Sequence, residues 1–320
     1  MNKWKLFWEK VRGRADVRPI FKMGAWSFFI VLAAGLLIKL FVFDSVRIDG
    51  TQMEPAILSG DRILIFKTPY ITPIMKRFFN VPEKPVVTGL PDKSARTLLR
   101  IAAGPGDTIS ISEGQFYRNG LPLERFHKDS DIYTVIPAGY SPADFMQQLR
   151  LPKPGDSLTF GELSMRDRIF AYSMLRQDRG NAGMNPGVIE DGVLNDNYEI
   201  TDFALYNGPI DDIPEHMRTD WFFWDRLQEY LTQTSAAKGK KAQLTFSFFR
   251  GDKEITGFKV KKRYVFLIGQ NWTGAKDSRY FGPIAINNIE GKAMMTLWGF
   301  VVDDNGKRQF DKTRVFKLIR

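Results

Sequence analysis

The chain has 320 residues, no cysteine, two histidines and a formal charge of +10 at pH 7. Without thiols it has no disulfide and no thiolate metal site, and His127 with His216 cannot make a histidine-rich metal centre, so no metal or cofactor is expected. A hydrophobic fraction of 43% fits an anchored, folded domain and not a multi-span transporter.

Residues 1–22 carry seven Lys or Arg against Glu9 and Asp16, a net +5, whereas residues 40–320 carry only +4. The basic excess therefore reads as a cytoplasmic tail beside a membrane, and nucleic acid is not an expected partner. Gly24 to Phe43 follows, 20 residues with Lys39 as the single charge. At about 1.5 Å per residue a helix of this length crosses a hydrocarbon core of about 30 Å. Residues 23–43 are thus read as one transmembrane helix, retained because no run of small residues closes it as in a cleavable signal. The basic flank predicts the N-terminus inside and residues 44–320 outside.

Strand-like segments come next, at Arg62–Lys67 and Thr108–Ile111, and later at Gln243–Phe249, Tyr264–Ile268 and Met294–Phe300. Most are bounded by Gly, Pro, Asn or Asp, which predicts antiparallel hairpins. Ser141-Pro142-Ala143-Asp144 reads as a helix cap opening a short helix through Arg150. Leu151 to Phe160 predicts a turn and strand, Met165–Arg179 a helix, and the Gly-, Asn-, Asp- and Pro-rich stretch Asn181 to Asp212 irregular surface. Thr219 or Asp220 caps a further helix through Thr232, with Trp224, Leu227, Tyr230 and Leu231 at helical spacing. That stripe packs into its own domain on one reading. On the other, Trp221, Phe222 and Trp224 face a partner or the bilayer interface. Lys238-Gly239-Lys240-Lys241 reads as a solvated loop.

Four short motifs stand in order behind the span. Gly50-Thr51-Gln52-Met53-Glu54-Pro55-Ala56 leads to Gly60-Asp61-Arg62 and a strand, and Leu99-Arg100-Ile101-Ala102-Ala103-Gly104-Pro105-Gly106-Asp107 follows. Then come Phe116-Tyr117-Arg118-Asn119-Gly120-Leu121-Pro122-Leu123 and finally Gly269-Gln270-Asn271 with Asp277-Ser278-Arg279-Tyr280-Phe281-Gly282, ahead of Arg314-Val315-Phe316. Singly these are turn and hairpin signals. Together they resemble the type I signal (leader) peptidases, peptidase S26. The resemblance implies a mainly β fold: one N-terminal transmembrane helix, then an antiparallel β domain from residues 44–123 and 261–320, with an α+β insert at 124–260.

That family cleaves signal peptides with a serine nucleophile and a lysine base, and a serine hydroxyl attacks only when a neighbour removes its proton. The resemblance puts the nucleophile at Gln52 and the base at Leu99, neither of which can do the work. It puts the oxyanion-hole serine at Gly50, the lysine-orienting serine at Ala275 and the acid of Gly-Asp-Asn at Gln270. Thr51 is the adjacent hydroxyl, but in an extended segment it points away from the face of residue 52. Arg100 stays protonated and is a poor base. Asp277 and Arg279 are retained, as structural support for a loop beside strand Tyr264–Ile268.

These substitutions imply a degenerate member with no catalytic residue, a pseudopeptidase of the bacterial inner membrane. It would act as a binding or assembly subunit with the Sec translocon, secreted precursors or an active paralogue as partners. Gln52, Met53 and Pro55 would then line an old peptide groove. Two alternatives are an active peptidase with an atypical nucleophile, and a structural subunit whose groove is filled.

Overall fold

The computed structural model describes residues 18–67, 85–89, 96–127, 145–179, 181–272, 274–302 and 307–319. The chain enters through α1 (Arg18–Phe41), whose segment Met23–Phe41 has a mean hydropathy of 2.0 and contains no buried residue. A helix that is apolar all round and exposed along its length suits an apolar solvent, and by length and composition α1 can cross a membrane. The helix ends two residues earlier than the apolar run, because Phe43 already belongs to β1 (Phe43–Arg47). Phe43 packs at a tilt against Phe66 across the β1–β2 pair, with ring centroids 5.4 Å apart, which draws the run's last aromatic out of the helix.

The strands continue as β2 (Arg62–Phe66), β3 (Pro85–Gly89), β4 (Arg96–Ala103), β5 (Thr108–Ser112), β6 (Gln115–Arg118), β7 (Leu121–His127), β8 (Met146–Arg150) and β9 (Ser157–Thr159). After α2 (Met165–Arg179) come β10 (Ala182–Glu190), β11 (Val193–Asn195), β12 (Glu199–Ile200) and β13 (Gly208–Pro209). Helices α3 (Glu215–Arg218) and α4 (Trp221–Ala236) precede β14 (Ala242–Arg250), β15 (Lys253–Glu254), β16 (Gly257–Lys259) and β17 (Tyr264–Ile268). The chain closes with α5 (Ser278–Phe281), β18 (Ile284–Ala285), β19 (Ile289–Val302), β20 (Arg308–Asp311) and β21 (Lys317–Leu318). The architecture is mainly β and antiparallel.

The largest sheet runs β1-β2-β19-β3-β4-β17-β18, with β20 and β21 also paired to β19. The β5–β7 strands form a small sheet in the order β7-β6-β5-β8, turned at Asn119 and Gly120, both at positive φ as a tight Asn-Gly hairpin requires. A third sheet, β11-β10-β14-β15, carries α2 and α4 on one face.

Three expectations need correction. The short helix through Arg150 is not formed in its described part: Met146–Arg150 is β8, and Ser141 to Asp144 lie outside the described residues. Pairing with β5 wins because it buries Met146 to 1% exposure beside Ile109, Ile111 and Phe116. Asn181 to Asp212 is not uniformly irregular, since β10 pairs with β14 along nine residues and buries Met184 and Val188. Pro186, which has no N–H to give, fits this strand because it lies opposite Phe246, whose N–H is on the edge away from β10, and pairing with β11 begins only at Val188.

The third correction concerns Trp224, which is no partner surface. It is fully buried, and its indole N–H donates to the Arg218 carbonyl at 2.9 Å. Leu227 and Leu231 join it in the core between α4 and the third sheet, so the stripe reads as packing. Asp220 is the observed cap of α4, its carboxylate accepting the Phe222 N–H at 3.1 Å.

Candidate functional site

The segment between β1 and β2 is a folded loop. Ile48 N–H donates to the Asp61 carbonyl at 2.9 Å and Gly60 N–H to the Ile48 carbonyl at 2.7 Å, closing its base. Inside it, Glu54 N–H donates to Thr51 O and Ile57 N–H to Met53 O. Residues 51–56 therefore form turns, not the extended run expected around Thr51. The Thr51 hydroxyl is exposed and has no hydrogen-bond partner among the described residues.

Asp61 anchors this loop. It is fully buried and paired with Arg314, Nε to Oδ1 at 3.1 Å with a second contact from Nη2 to Oδ2, while Oδ2 also accepts the Leu58 N–H at 3.0 Å. Gly299 makes room for the pair, because a Cβ there would fall 2.1 Å from Asp61 Oδ1. Two motifs 253 residues apart thus meet as one buried ion pair.

The loop after β17 is strapped to residues 51 and 52. Asn271 N–H donates to the Gln52 carbonyl at 3.0 Å, and Asn271 Nδ2 donates to the Thr51 carbonyl at 3.1 Å. Gly269 permits the close approach: a Cβ there would sit 2.3 Å from Ala275 Cβ and 2.7 Å from the Gln52 carbonyl oxygen. Gln52 turns its carboxamide back over Gly50, whose φ of +128° suits glycine and where a Cβ would meet Gln52 Oε1 at 2.3 Å. Gln52, Gly50 and Ala275 are therefore brought together, with Gly269 at the centre.

Asp277 and Arg279 hold this arrangement. Both are fully buried, joined through Nε to Oδ1 and Nη2 to Oδ2, each at 2.8 Å. Asp277 Oδ2 also accepts the Gly269 N–H at 2.8 Å, Arg279 Nη2 donates to the Trp272 carbonyl, and the guanidinium lies 4.3 Å from the Trp272 ring centre. Ser278 Oγ accepts the Leu267 N–H at 3.0 Å. The Asp-Ser-Arg stretch thus fastens its loop to β17.

Leu99 is fully buried with Val86, Ile101, Val265, Leu267 and Phe281. Its neighbour Leu98 faces the other cluster, formed by Ile48, Met53, Ile57, Ile63, Ile65, Val87 and Ala293. Met53, expected to line a groove, is a core residue at 1% exposure in that cluster, because its thioether chain fills the space under the loop. Pro55 is exposed. Gln270 is exposed too, and with Arg100, Ala56 and Leu318 lines a recess of about 640 Å³.

Trp221 and Phe222 are half-buried and touch the same loop. The Trp221 indole N–H donates to the Arg279 carbonyl, Phe222 packs edge-on against Tyr280 at 6.2 Å, and Asp220 pairs with Lys276 at 3.1 Å. Sequence reasoning missed three parts of this site: the Asn271 straps, the Asp61–Arg314 pair and the Trp221 contact. The Asp61, Arg314 and Asn271 motif letters were visible, but nothing local in the chain marks who pairs with whom.

A family model described as "Signal peptidase, peptidase S26" matches residues 20–159 and 213–298. The chain is similar to signal peptidase I of Bacillus licheniformis, 29% identical over 94 residues, covering 29% of this chain and 48% of that protein. It is 31% identical over 101 residues to the probable signal peptidase I-1 of Synechocystis sp., covering 30% of this chain and 50% of that protein. In these two matches the chain spans about half the length of the relative. A longer match, 21% identical over 277 residues, is to signal peptidase I of Aquifex aeolicus, covering 84% of this chain and 81% of that protein.

Proposed function

Since the chain belongs to the signal peptidase family, peptidase S26, we propose that it is a non-catalytic member, a membrane-anchored binding or assembly subunit in protein export. The observation that carries this reading is the pair of side chains at the family's reacting positions. Gln52 offers a carboxamide folded onto Gly50, and Leu99 is an aliphatic residue with no exposed surface. Acyl transfer needs a hydroxyl or thiol and a neutral base within reach of it, and neither side chain supplies either. The loops that framed such a centre are still fastened by Asn271 and by Asp277 with Arg279.

In this reading α1 spans the bacterial inner membrane with the basic tail inside and residues 44–320 outside, following the excess of Lys and Arg ahead of the span. The partners are a secreted precursor, a Sec translocon component or an active paralogue.

One observation favours a filled groove over an open one: Met53 and Ile57, beside Gln52, are closed into the cluster with Ile48 and Leu98. Photocrosslinking separates the two. A benzoylphenylalanine at Pro55 and another at Phe222 are each exposed to a radiolabelled preprotein in inverted membrane vesicles. Adducts from Pro55 with the uncleaved precursor support a surviving groove. Adducts from Phe222 alone support binding through α4, and processing to mature product in either case contradicts the proposal.

A further inference from the structure

The third sheet leaves one stretch of main chain without a strand beside it. On the side of β14 facing away from β10, β15 pairs only with Phe249 and Arg250, and among the described residues no strand pairs with Gln243–Phe248 on that side. The outward groups at both ends of this stretch are occupied. Leu244 N–H donates to Gln228 Oε1 at 2.7 Å, and Gln228 Nε2 donates to the Ala242 carbonyl at 3.1 Å, so one carboxamide imitates a neighbouring strand. At the far end the Phe248 carbonyl accepts the Ile255 N–H at 2.8 Å. Between them the Leu244 carbonyl and the Phe246 N–H and carbonyl point outward with no partner among the described residues.

This edge opens into a cleft of about 960 Å³ between the start of α2 and the exposed stripe of α4. Its apolar lining includes Met165, Leu244 and Phe246, and its charged lining is Arg168, Lys240 and Lys241 against Asp191 alone. Lys240 is engaged with Glu190 at 2.8 Å, whereas the exposed Lys241 ammonium has no partner among the described residues. Free main-chain donors and acceptors, an apolar wall and an excess of cations specify an occupant. It is an extended polypeptide that pairs with the edge, seats one apolar side chain and carries acidic residues beside it.

We infer that the cleft between α2, α4 and the free edge of β14 is a docking site for an extended, acidic segment of a partner polypeptide, bound by strand addition. A bare edge of this kind is usually covered or charged to prevent pairing, and here the cover reaches only the Leu244 N–H at one end and the Phe248 carbonyl at the other. The cleft shares no lining residue with the surroundings of Gln52, and the inference stands whether or not that centre is catalytic.

The test uses the full chain in mild detergent and three fluorescein-labelled peptides read by anisotropy. They are an acidic one of sequence EEVTVTVEE, the same with every Glu replaced by Lys, and the acidic one N-methylated at alternate residues on its pairing edge. The acidic peptide is expected to bind at least tenfold more tightly than the other two. Lys241→Glu is expected to weaken it about fivefold or more, and Ala236→Trp, an exposed change that fills the cleft, to abolish binding with the thermal unfolding curve unchanged. Equal binding of the N-methylated or basic peptide, binding that survives Ala236→Trp, or no binding of the acidic peptide overturns the inference.

Discussion

Asp61 and Arg314, separated by 253 residues, form a buried ion pair that ties the loop carrying Gln52 to the end of the chain. Removing one partner of such a pair leaves an uncompensated charge in the interior, which costs about 3–5 kcal/mol. Arg314→Met and Asp61→Asn are each expected to lower unfolding stability by that order, measured by urea titration in detergent. The double variant should lose clearly less than the sum, because neither charge is then left alone.

Trp221 links α4 to the Asp277–Arg279 loop through its indole N–H and the Arg279 carbonyl. Trp221→Phe keeps most of the apolar contact and removes the donor, an expected loss of about 1 kcal/mol. Proteolysis should report it locally, with faster cutting after Lys276 and little change elsewhere.

Leu99→Lys, which places an amine where the resemblance to the family puts the base, is expected to be costly. The side chain sits fully buried among aliphatic residues, where desolvation pushes an ammonium's pKa down. Folding then favours the neutral amine, so the penalty is present at neutral pH and shrinks as pH rises toward the lysine's unfolded value. We expect a loss of about 4 kcal/mol or more at pH 7 that is partly regained by pH 9, measured by denaturant titration at both values.

Burial raises the pKa of both Tyr172 and Tyr264, with Glu215 adding to the effect at Tyr172. Tyr264 donates its hydroxyl to the Met174 carbonyl at 2.7 Å in the same core. The folded state therefore holds these protons more tightly than the unfolded chain. Their contribution is complete below the unfolded value of about 10 and is lost as pH rises above it. A stability curve from pH 8 to 11.5 should bend down above about pH 10. Tyr264→Phe should bend less and start about 1 kcal/mol lower from the lost hydrogen bond.

Much of this molecule can be read along the chain where the signal is periodic or local. The all-apolar run shows α1, helical spacing shows Met165–Arg179 and α4, and Asn119-Gly120 shows its hairpin. What escaped reading depends on a partner elsewhere. Met146–Arg150 has a helix-like lead and becomes a strand because β5 offers an edge, and Gly183, Pro186 and Gly187 disguise β10 until β14 lies beside it. At the site, residue types alone marked Gln52 and Leu99 as unable to react. They could not say that Met53 is sealed into the core, or that Asn271 clasps Gln52 through main-chain atoms.

The most direct measurement is a processing assay: purified full-length protein in detergent, incubated with a radiolabelled preprotein and followed for mature product. The account predicts no product above the buffer control, for the natural chain and for Thr51→Ala alike. Cleavage at the signal-peptide junction that disappears with Thr51→Ala would contradict it.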